Sequence, residues 1–264
     1  MDVVLTLALA QVEGSPEPFR NLETARRHAH AAAEEGAAIL VFPEMFMALP
    51  SPGNPPARLV RDAGGHFVEH LARMAQSFRI YIVAGVWEPS PDPDRVYNTA
   101  VVLGPEGETL AAYRKLHLFD ALNVRESKTM VAGDRRPPVV SIHGLRVGLA
   151  ICYDLRFPEL FRCLADQGAE AVLVPSAWYQ GSMKEEHWLT LLRARAIENT
   201  FYVAGCNLIG GAFCGRSTVF DPFGVAVASA VEGEDHVTAR ISPRRVRSVR
   251  EKLPSLENRR KDLF

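Results

Sequence analysis

The chain is short of several features that would narrow its class at once. Its 264 residues include only four cysteines (Cys152, Cys163, Cys206 and Cys214), with no CxxC pair and no histidine spacing of zinc type. A disulfide framework is not expected at this size, and free thiols fit a cytoplasmic protein. Charge of one sign is missing too. Thirty Lys+Arg against 31 Asp+Glu leave a formal net charge of −1, which gives no global reason for a nucleic-acid or membrane partner. No apolar run approaches the roughly 20 residues needed to span a bilayer. The first ten residues are apolar but short, and Asp2 stands where a secretory signal would be basic, so a first strand is the better reading. Solenoid repeats, low-complexity tracts and linkers are absent as well, and one domain over residues 1–264 is expected.

What remains is ordinary globular composition, 47% apolar and 23% charged. One local asymmetry exists: residues 240–264 hold nine Lys/Arg against three acids. Leu253, Leu256 and Leu263 interrupt that run, so it reads as a solvated helix plus a docking segment rather than a nucleic-acid arm. Strand patterns at 3–11, 38–42 and 80–86 alternate with helical patterns at 21–35 and 66–78. A hairpin pairs 97–103 with 109–113 around Gly104-Pro105-Glu106-Gly107, and a polar loop spans 115–133. Strand 147–151, helix 158–168, strand 171–174, helix 184–199 and strand 202–206 follow. A second hairpin, 217–220 with 225–229, a strand 236–241 and a helix 244–253 complete the chain. Mixed sheets are implied, and two halves of similar pattern suggest two packed sheets with helices outside, an α/β class.

The chemistry centres on Val147 to Leu160. A strand-like run stops at Cys152, and Pro158 opens a helix, since a proline costs nothing in a first helical turn. A thiol close to a helix N-terminus is inclined toward the thiolate; the alternative is a buried cysteine at a strand end. Glu44 and Lys115 also stand just past strands, and active groups gather at strand ends in open α/β sheets. As a set they make sense. A carboxylate can accept the thiol proton, while an ammonium lowers the thiol pKa and neutralises an oxyanion. The Tyr153 N–H, next after the cysteine, is a second oxyanion donor.

Competing readings stay open on these residues. His117 or His187 could pair with Cys152 as in a cysteine protease. Phe119, Trp178 and Tyr179 could line a pocket or fill the core. Arg156, beside Asp154 and Glu159, suits a structural ion pair better than a substrate clamp. Arg193, Arg195 and Arg216 could hold a substrate carboxylate bidentately. Cys163, Cys206 and Cys214 read as small core residues.

Three segments, Phe42-Pro43-Glu44, Tyr113-Arg114-Lys115-Leu116-His117-Leu118-Phe119-Asp120 and Cys152-Tyr153-Asp154-Leu155-Arg156-Phe157-Pro158-Glu159, resemble the signature segments of the nitrilase superfamily, the carbon–nitrogen hydrolases. The resemblance runs from the first strand to Asn258-Arg259-Arg260. It implies a four-layer αββα sandwich with two mixed sheets face to face. It also implies a triad of Glu44 as base and acid, Lys115 as oxyanion stabiliser and Cys152 as nucleophile.

Glu126, in Glu126-Ser127-Lys128-Thr129, resembles the second glutamate of the omega-amidase and deaminated glutathione amidase branches. By that resemblance it orients Lys115 or the substrate nitrogen. The short loop before Glu126, Trp178 with Gly181, and His187-Trp188 resemble the bacterial members, and Tyr153, Phe119, Trp178 and His187 are the oxyanion and substrate-binding candidates. The implied activity is hydrolysis of a small carboxylate-bearing amide through a cysteine thioester, with N-carbamoyl amino acids or nitriles as alternative substrates. No metal or organic cofactor is called for. Family members are dimers or larger, so a homo-oligomer contacting its partner through about residues 242–264 is expected. A catalytically silent interaction protein is the reading from another class.

Overall fold

In the computed structural model, which describes residues 3–263, period-two alternation along the first strand decides the layering. Strand β1 (Leu5–Gln11) sends Leu5, Leu7 and Leu9 into one hydrophobic cluster and Ala8 and Ala10 into another, because successive strand side chains point to opposite faces. The leucine face meets a second sheet. The alanine face is covered by helix α1 (Pro18–Glu34), which lays Ala25, Ala29 and Ala32 against it at helical spacing.

Strand β2 (Ile39–Val41), helix α2 (Pro56–Phe78), strand β3 (Tyr81–Pro89) and the hairpin strands β4 (Val96–Leu103) and β5 (Thr109–Arg114) follow. The second half opens with the hairpin β6 (Val139–Ile142) and β7 (Leu145–Leu149). Then come α3 (Pro158–Asp166), β8 (Ala171–Ser176), α4 (Lys184–Asn199) and β9 (Tyr202–Asn207). A ribbon of β10 (Ile209–Gly210) and β11 (Phe213–Cys214) precedes β12 (Thr218–Phe220), β13 (Ala226–Ser229), β14 (Asp235–Ile241) and α5 (Pro243–Lys252). No helix among the described residues is long and apolar enough to cross a membrane.

The first sheet runs β14-β1-β2-β3-β4-β5, and the second runs β13-β12-β9-β8-β7-β6. Each has a parallel centre, β1–β2–β3 or β7–β8–β9, with antiparallel flanks. The inner faces share one core, in which Leu7, Ile39 and Val83 join Val147, Leu149 and Val203. Helices α1 and α2 cover the first sheet. The α3 residues Leu160, Phe161 and Leu164 and the α4 residues Trp188 and Leu192 belong to the second sheet's core cluster. This is the four-layer αββα sandwich expected, with two mixed six-stranded sheets.

The short ribbon of β10 and β11 was not expected, and two larger elements also differ from the sequence reading. Helix α2 starts ten residues earlier than expected, with Pro56 in its first turn; the Pro-rich stretch before it and the pair Gly64-Gly65 hide a continuous helix whose length comes from tertiary packing. Strand β6 was not expected at all. It is a short edge strand joined to β7 through His143 and Gly144, whose φ of 46° and 84° suit a two-residue hairpin turn. Within the C-terminal segment, α5 is N-capped by Ser242, whose Oγ accepts from the Arg245 N–H, and it buries Val246 and Val249. Leu253 and Leu263 remain exposed.

Candidate active site

Strand direction explains which residues can meet. Because β3, β4 and β5 alternate in direction, β5 ends at the same sheet edge as β2, and β4 begins there. Glu44 lies three residues beyond β2, Lys115 follows β5 directly, and Asn98 sits near the start of β4. In the facing sheet β7, β8 and β9 run parallel, so Cys152, Ala177 and Asn207 reach a common edge.

Glu44 is held by three donors. Its Oε1 accepts from Lys115 Nζ at 2.8 Å and Asn98 Nδ2 at 2.7 Å, and its Oε2 accepts from the Ala177 N–H of the opposite sheet at 2.8 Å. Its turn packs directly on Gly85, where a Cβ would fall 2.6 Å from the Glu44 Cα, the Met45 nitrogen and the Pro43 oxygen. Lys115 is buried and donates also to Glu126 Oε1 and Oε2, at 3.0 and 2.9 Å. Glu126 sits on a single 3₁₀ turn (Glu126–Lys128), with Oε2 accepting from the Phe119 N–H at 2.7 Å. The loop beyond is pinned to the start of β4 by backbone hydrogen bonds from Val96 to Thr129 and from Val131 to Val96.

The charges settle one another. Burial alone would lower the Lys115 pKa, but Glu44 and Glu126 outweigh it and hold the ammonium well above its ordinary range. Burial, opposed by Lys115 and reinforced by Glu44, pushes the Glu126 carboxyl up.

Cys152 is 8% exposed and begins a 3₁₀ turn (Cys152–Arg156) with φ +43°, a left-handed conformation costly for a residue with a Cβ. Asp154 holds that turn. Its Oδ2 accepts from the Ile151 N–H at 2.9 Å and Tyr113 Oη at 2.8 Å, and its Oδ1 accepts from the His117 N–H at 3.1 Å and ring Nδ1 at 2.7 Å. One carboxylate therefore ties the Cys152 turn to the segment carrying Lys115.

The sequence reading inclined the thiol toward the thiolate. The structure reverses this: burial first, then Glu44 and Glu126, push the Cys152 pKa well up against the pull of Lys115. A neutral thiol beside a carboxylate is a nucleophile that must be deprotonated as it attacks. Cys206, buried between Ala10 and Val41 carbonyls, is also pushed up, and Cys214 is pushed up to about 12, in both cases chiefly by burial. Cys163 is half-buried on α3.

Cys152 and Glu126 line a narrow pocket with Met45, Phe119, Tyr153, Ala177, Trp178, Tyr179 and Lys184. Phe119, Trp178, Tyr153 and Tyr179 are thus pocket residues. His187 is exposed and meets Arg156 rather than the pocket, and His117 is committed to Asp154 with its ring stacked on Phe157 at 3.6 Å. Arg156 forms no ion pair with Asp154 or Glu159; its guanidinium lies 4.9 Å from the Trp178 ring centroid. Arg195 donates to the Leu155 carbonyl and Glu198, Arg193 lies over Phe220, and Arg216 is exposed, so none of the three lines the pocket.

Asn98, the Ala177 N–H and Lys184 were not singled out from sequence. Asn98 left a signal, as a polar residue of low strand preference inside an apolar strand; the other two left none.

A family model described as Carbon-nitrogen hydrolase matches residues 6–251. Deaminated glutathione amidase of Escherichia coli O157:H7 is 39% identical over 230 residues, 87% of either chain. The protein of that name from Synechocystis sp. is 39% identical over 274 residues, covering 96% of this chain and 97% of that one. Among solved structures, the C. elegans NitFhit protein superposes with a TM-score of 0.94 at 32% identity, over 100% of this chain and 67% of that one. An amidase from Nesterenkonia sp. gives 0.86 at 29% identity, over 98% and 94%. One mutant of an amidase from Nesterenkonia sp. AN1 is seen with acrylamide, and separately with the acetamide moiety of fluoroacetamide, added covalently at the active-site cysteine.

Proposed function

Because the chain belongs to the carbon-nitrogen hydrolase family, we propose that it is a cysteine-based amidase releasing ammonia from a small carboxylate-bearing amide, of omega-amidase or deaminated glutathione amidase type. One observation carries the assignment of roles. A buried Glu44–Lys115–Glu126 ion cluster faces the un-ionised thiol of Cys152 across the joint between the two sheets. The relatives' names support the substrate class.

In this reading Glu44 takes the Sγ proton as the sulfur bonds to the amide carbon. The carbonyl π electrons move onto oxygen, where the Lys115 ammonium and the Tyr153 N–H stabilise them. Collapse of the tetrahedral adduct breaks the C–N bond, and Glu44 returns its proton to the departing ammonia. Water then gives Glu44 a proton, attacks the thioester and frees the acid, and the cysteine leaves as sulfur reprotonated by Glu44. Glu126 keeps Lys115 charged and aimed, and Asn98 and the Ala177 N–H keep Glu44 aimed. The whole of residues 1–264 acts as one catalytic unit in the cytoplasm. A homodimer or larger assembly forms through the C-terminal segment 242–264, whose Leu253 and Leu263 are exposed.

The test is ammonia release over ω-amides, deaminated glutathione, N-carbamoyl amino acids and nitriles, with the acyl-cysteine sought by mass. Glu44→Gln, Lys115→Ala and Cys152→Ala should each remove turnover. A protease-type pair predicts instead that His117→Ala or His187→Ala abolishes activity and Lys115→Ala spares it. A folded protein whose Cys152 is acylated by no member of the panel is the silent interaction protein. A monomer in solution, unchanged by truncation after Ser242, refutes the assembly.

A further inference from the structure

The wall of the Cys152 pocket carries a cation that the chemistry above does not use. Lys184 opens α4 and is only 8% exposed, yet its Nζ makes no hydrogen bond or ion pair among the described residues. The ammonium lies 4.6 Å from the Trp178 ring centroid and 5.3 Å from that of Phe119. Ring faces attract a cation but supply no counter-charge. Glu185 and Glu186, next along the chain, are exposed and do not pair with it.

The position of this lysine is built. Trp178 donates its Nε1–H to the Lys184 carbonyl at 2.8 Å, and its own backbone N–H goes to Asn207 Oδ1 at 2.7 Å, so the ring is tied to the backbone that carries the lysine. The turn leading in holds Met183 at φ +57°, a strained conformation that persists only where the surroundings impose it. Burial, with the Arg156 charge nearby, holds the ammonium below its ordinary pKa. The stem of Lys184 is covered while its unpaired ammonium stays open to the pocket, where an anion arriving from outside can pair with it.

We propose that Lys184 is the carboxylate-binding residue of this pocket, receiving the acid group of a short ω-amide whose amide carbonyl lies at Cys152. The inference rests on the amidase reading and adds the residue that sets the sign of the substrate's charge. Lys184 and Cys152 line the same small pocket, so a short chain is what can reach from one to the other. The carboxylate would accept hydrogen bonds from Lys184 Nζ beside the Trp178 and Phe119 rings, in a site whose low dielectric strengthens the pairing.

The experiment measures binding to the full-length Cys152→Ala protein by calorimetry, with glutaramate and its uncharged counterpart valeramide, and with Lys184 then changed to Met or Arg. Glutaramate should bind more tightly than valeramide. Lys184→Met should weaken glutaramate roughly 10- to 100-fold and leave valeramide within about threefold, and Lys184→Arg should restore most of the difference. Equal loss for both ligands in the Met variant, or an acid that binds no better than the neutral amide before Lys184 is changed, overturns the proposal. Acylation of native Cys152 by valeramide, followed separately by mass, reports on the amidase chemistry alone, so failure of that reading is distinguished from failure of this one.

Discussion

Replacing Asp154 by Asn tests the claim that one buried carboxylate holds the nucleophile's turn in place. The side chain is fully buried and accepts four hydrogen bonds, two on each oxygen. An amide keeps one accepting oxygen and turns its NH₂ toward the other two donors. Hydrogen bonds to a charged partner contribute about 1.5–3 kcal/mol each, so two lost bonds cost about 3–6 kcal/mol. Tyr113 can rotate its hydroxyl to accept from the new amide and recover about 1 kcal/mol, whereas a backbone N–H cannot reverse. A net loss of about 2–5 kcal/mol is expected, within the 5–15 kcal/mol typical of a domain, so the variant folds.

The functional effect should exceed the loss of stability. The Ile151 N–H precedes Cys152, whose φ of +43° is held against a cost of order 1–3 kcal/mol. With that bond weakened the turn relaxes, and a displacement of about 1 Å at a nucleophile costs on the order of 10²-fold in rate. Urea unfolding at pH 7 gives the stability. Ammonia release gives kcat and KM, and the rate of alkylation by iodoacetamide gives the state of the thiol. The expected pattern is a fall in kcat of about 10²-fold with KM little changed. Unfolding free energy within about 0.5 kcal/mol of the parent, or activity falling only in proportion to the unfolded fraction, would falsify the positioning role.

Other consequences can be checked alongside. His28 packs beneath β14 with its Nδ1 3.2 Å from the Nδ1 of His236, and burial, aided by His236, lowers its pKa to about 4. The unfolded chain binds that proton at about 6.5, so the contribution of His28 is complete above pH 6.5 and is lost as pH falls toward 4, about 3 kcal/mol in all. Urea titrations across that range should show the loss, and His28→Gln should flatten it. Gly85→Ala drives a methyl into the backbone of the Glu44 turn; about 1–3 kcal/mol of stability should go, together with turnover, whereas unchanged activity would mean the turn can shift freely. Lys115→Met leaves two buried carboxylates without a counter-charge and should cost about 3–5 kcal/mol. The deficit should be larger at pH 8 than at pH 5, where a carboxyl can take up a proton, and an equal deficit at both would contradict the charge arrangement.

Much of this was legible in the residues because it is local. Alternating Leu and Ala in β1, the proline opening α3 and the glycine-bearing turns are short-range signals, and the structure places the corresponding elements close to their expected bounds. The early start of α2 and the edge strand β6 were hidden because tertiary cover, and not propensity, decides them. Arg156 shows the same limit. Its sequence neighbours Asp154 and Glu159 suggest an ion pair, yet Asp154 is taken by donors from Tyr113 and His117, about 40 residues away, and Arg156 turns to Trp178 instead.

By itself the sequence determined the α/β layering and singled out a thiol, a carboxylate and a lysine beyond strand ends, with the second carboxylate, Glu126, entering only through resemblance, since periodicity and side-chain chemistry are properties of neighbouring residues. Only the tertiary structure decided their charge states and their company. Cys152 becomes a neutral thiol, and Lys115 a firmly held cation, through burial and through charges brought from other strands. Lys184, unremarkable at the head of a helix pattern, becomes an unpaired cation only when Trp178 and Phe119 close around it. Desolvation and Coulomb energy depend on distance in space, and chain order carries no record of that distance.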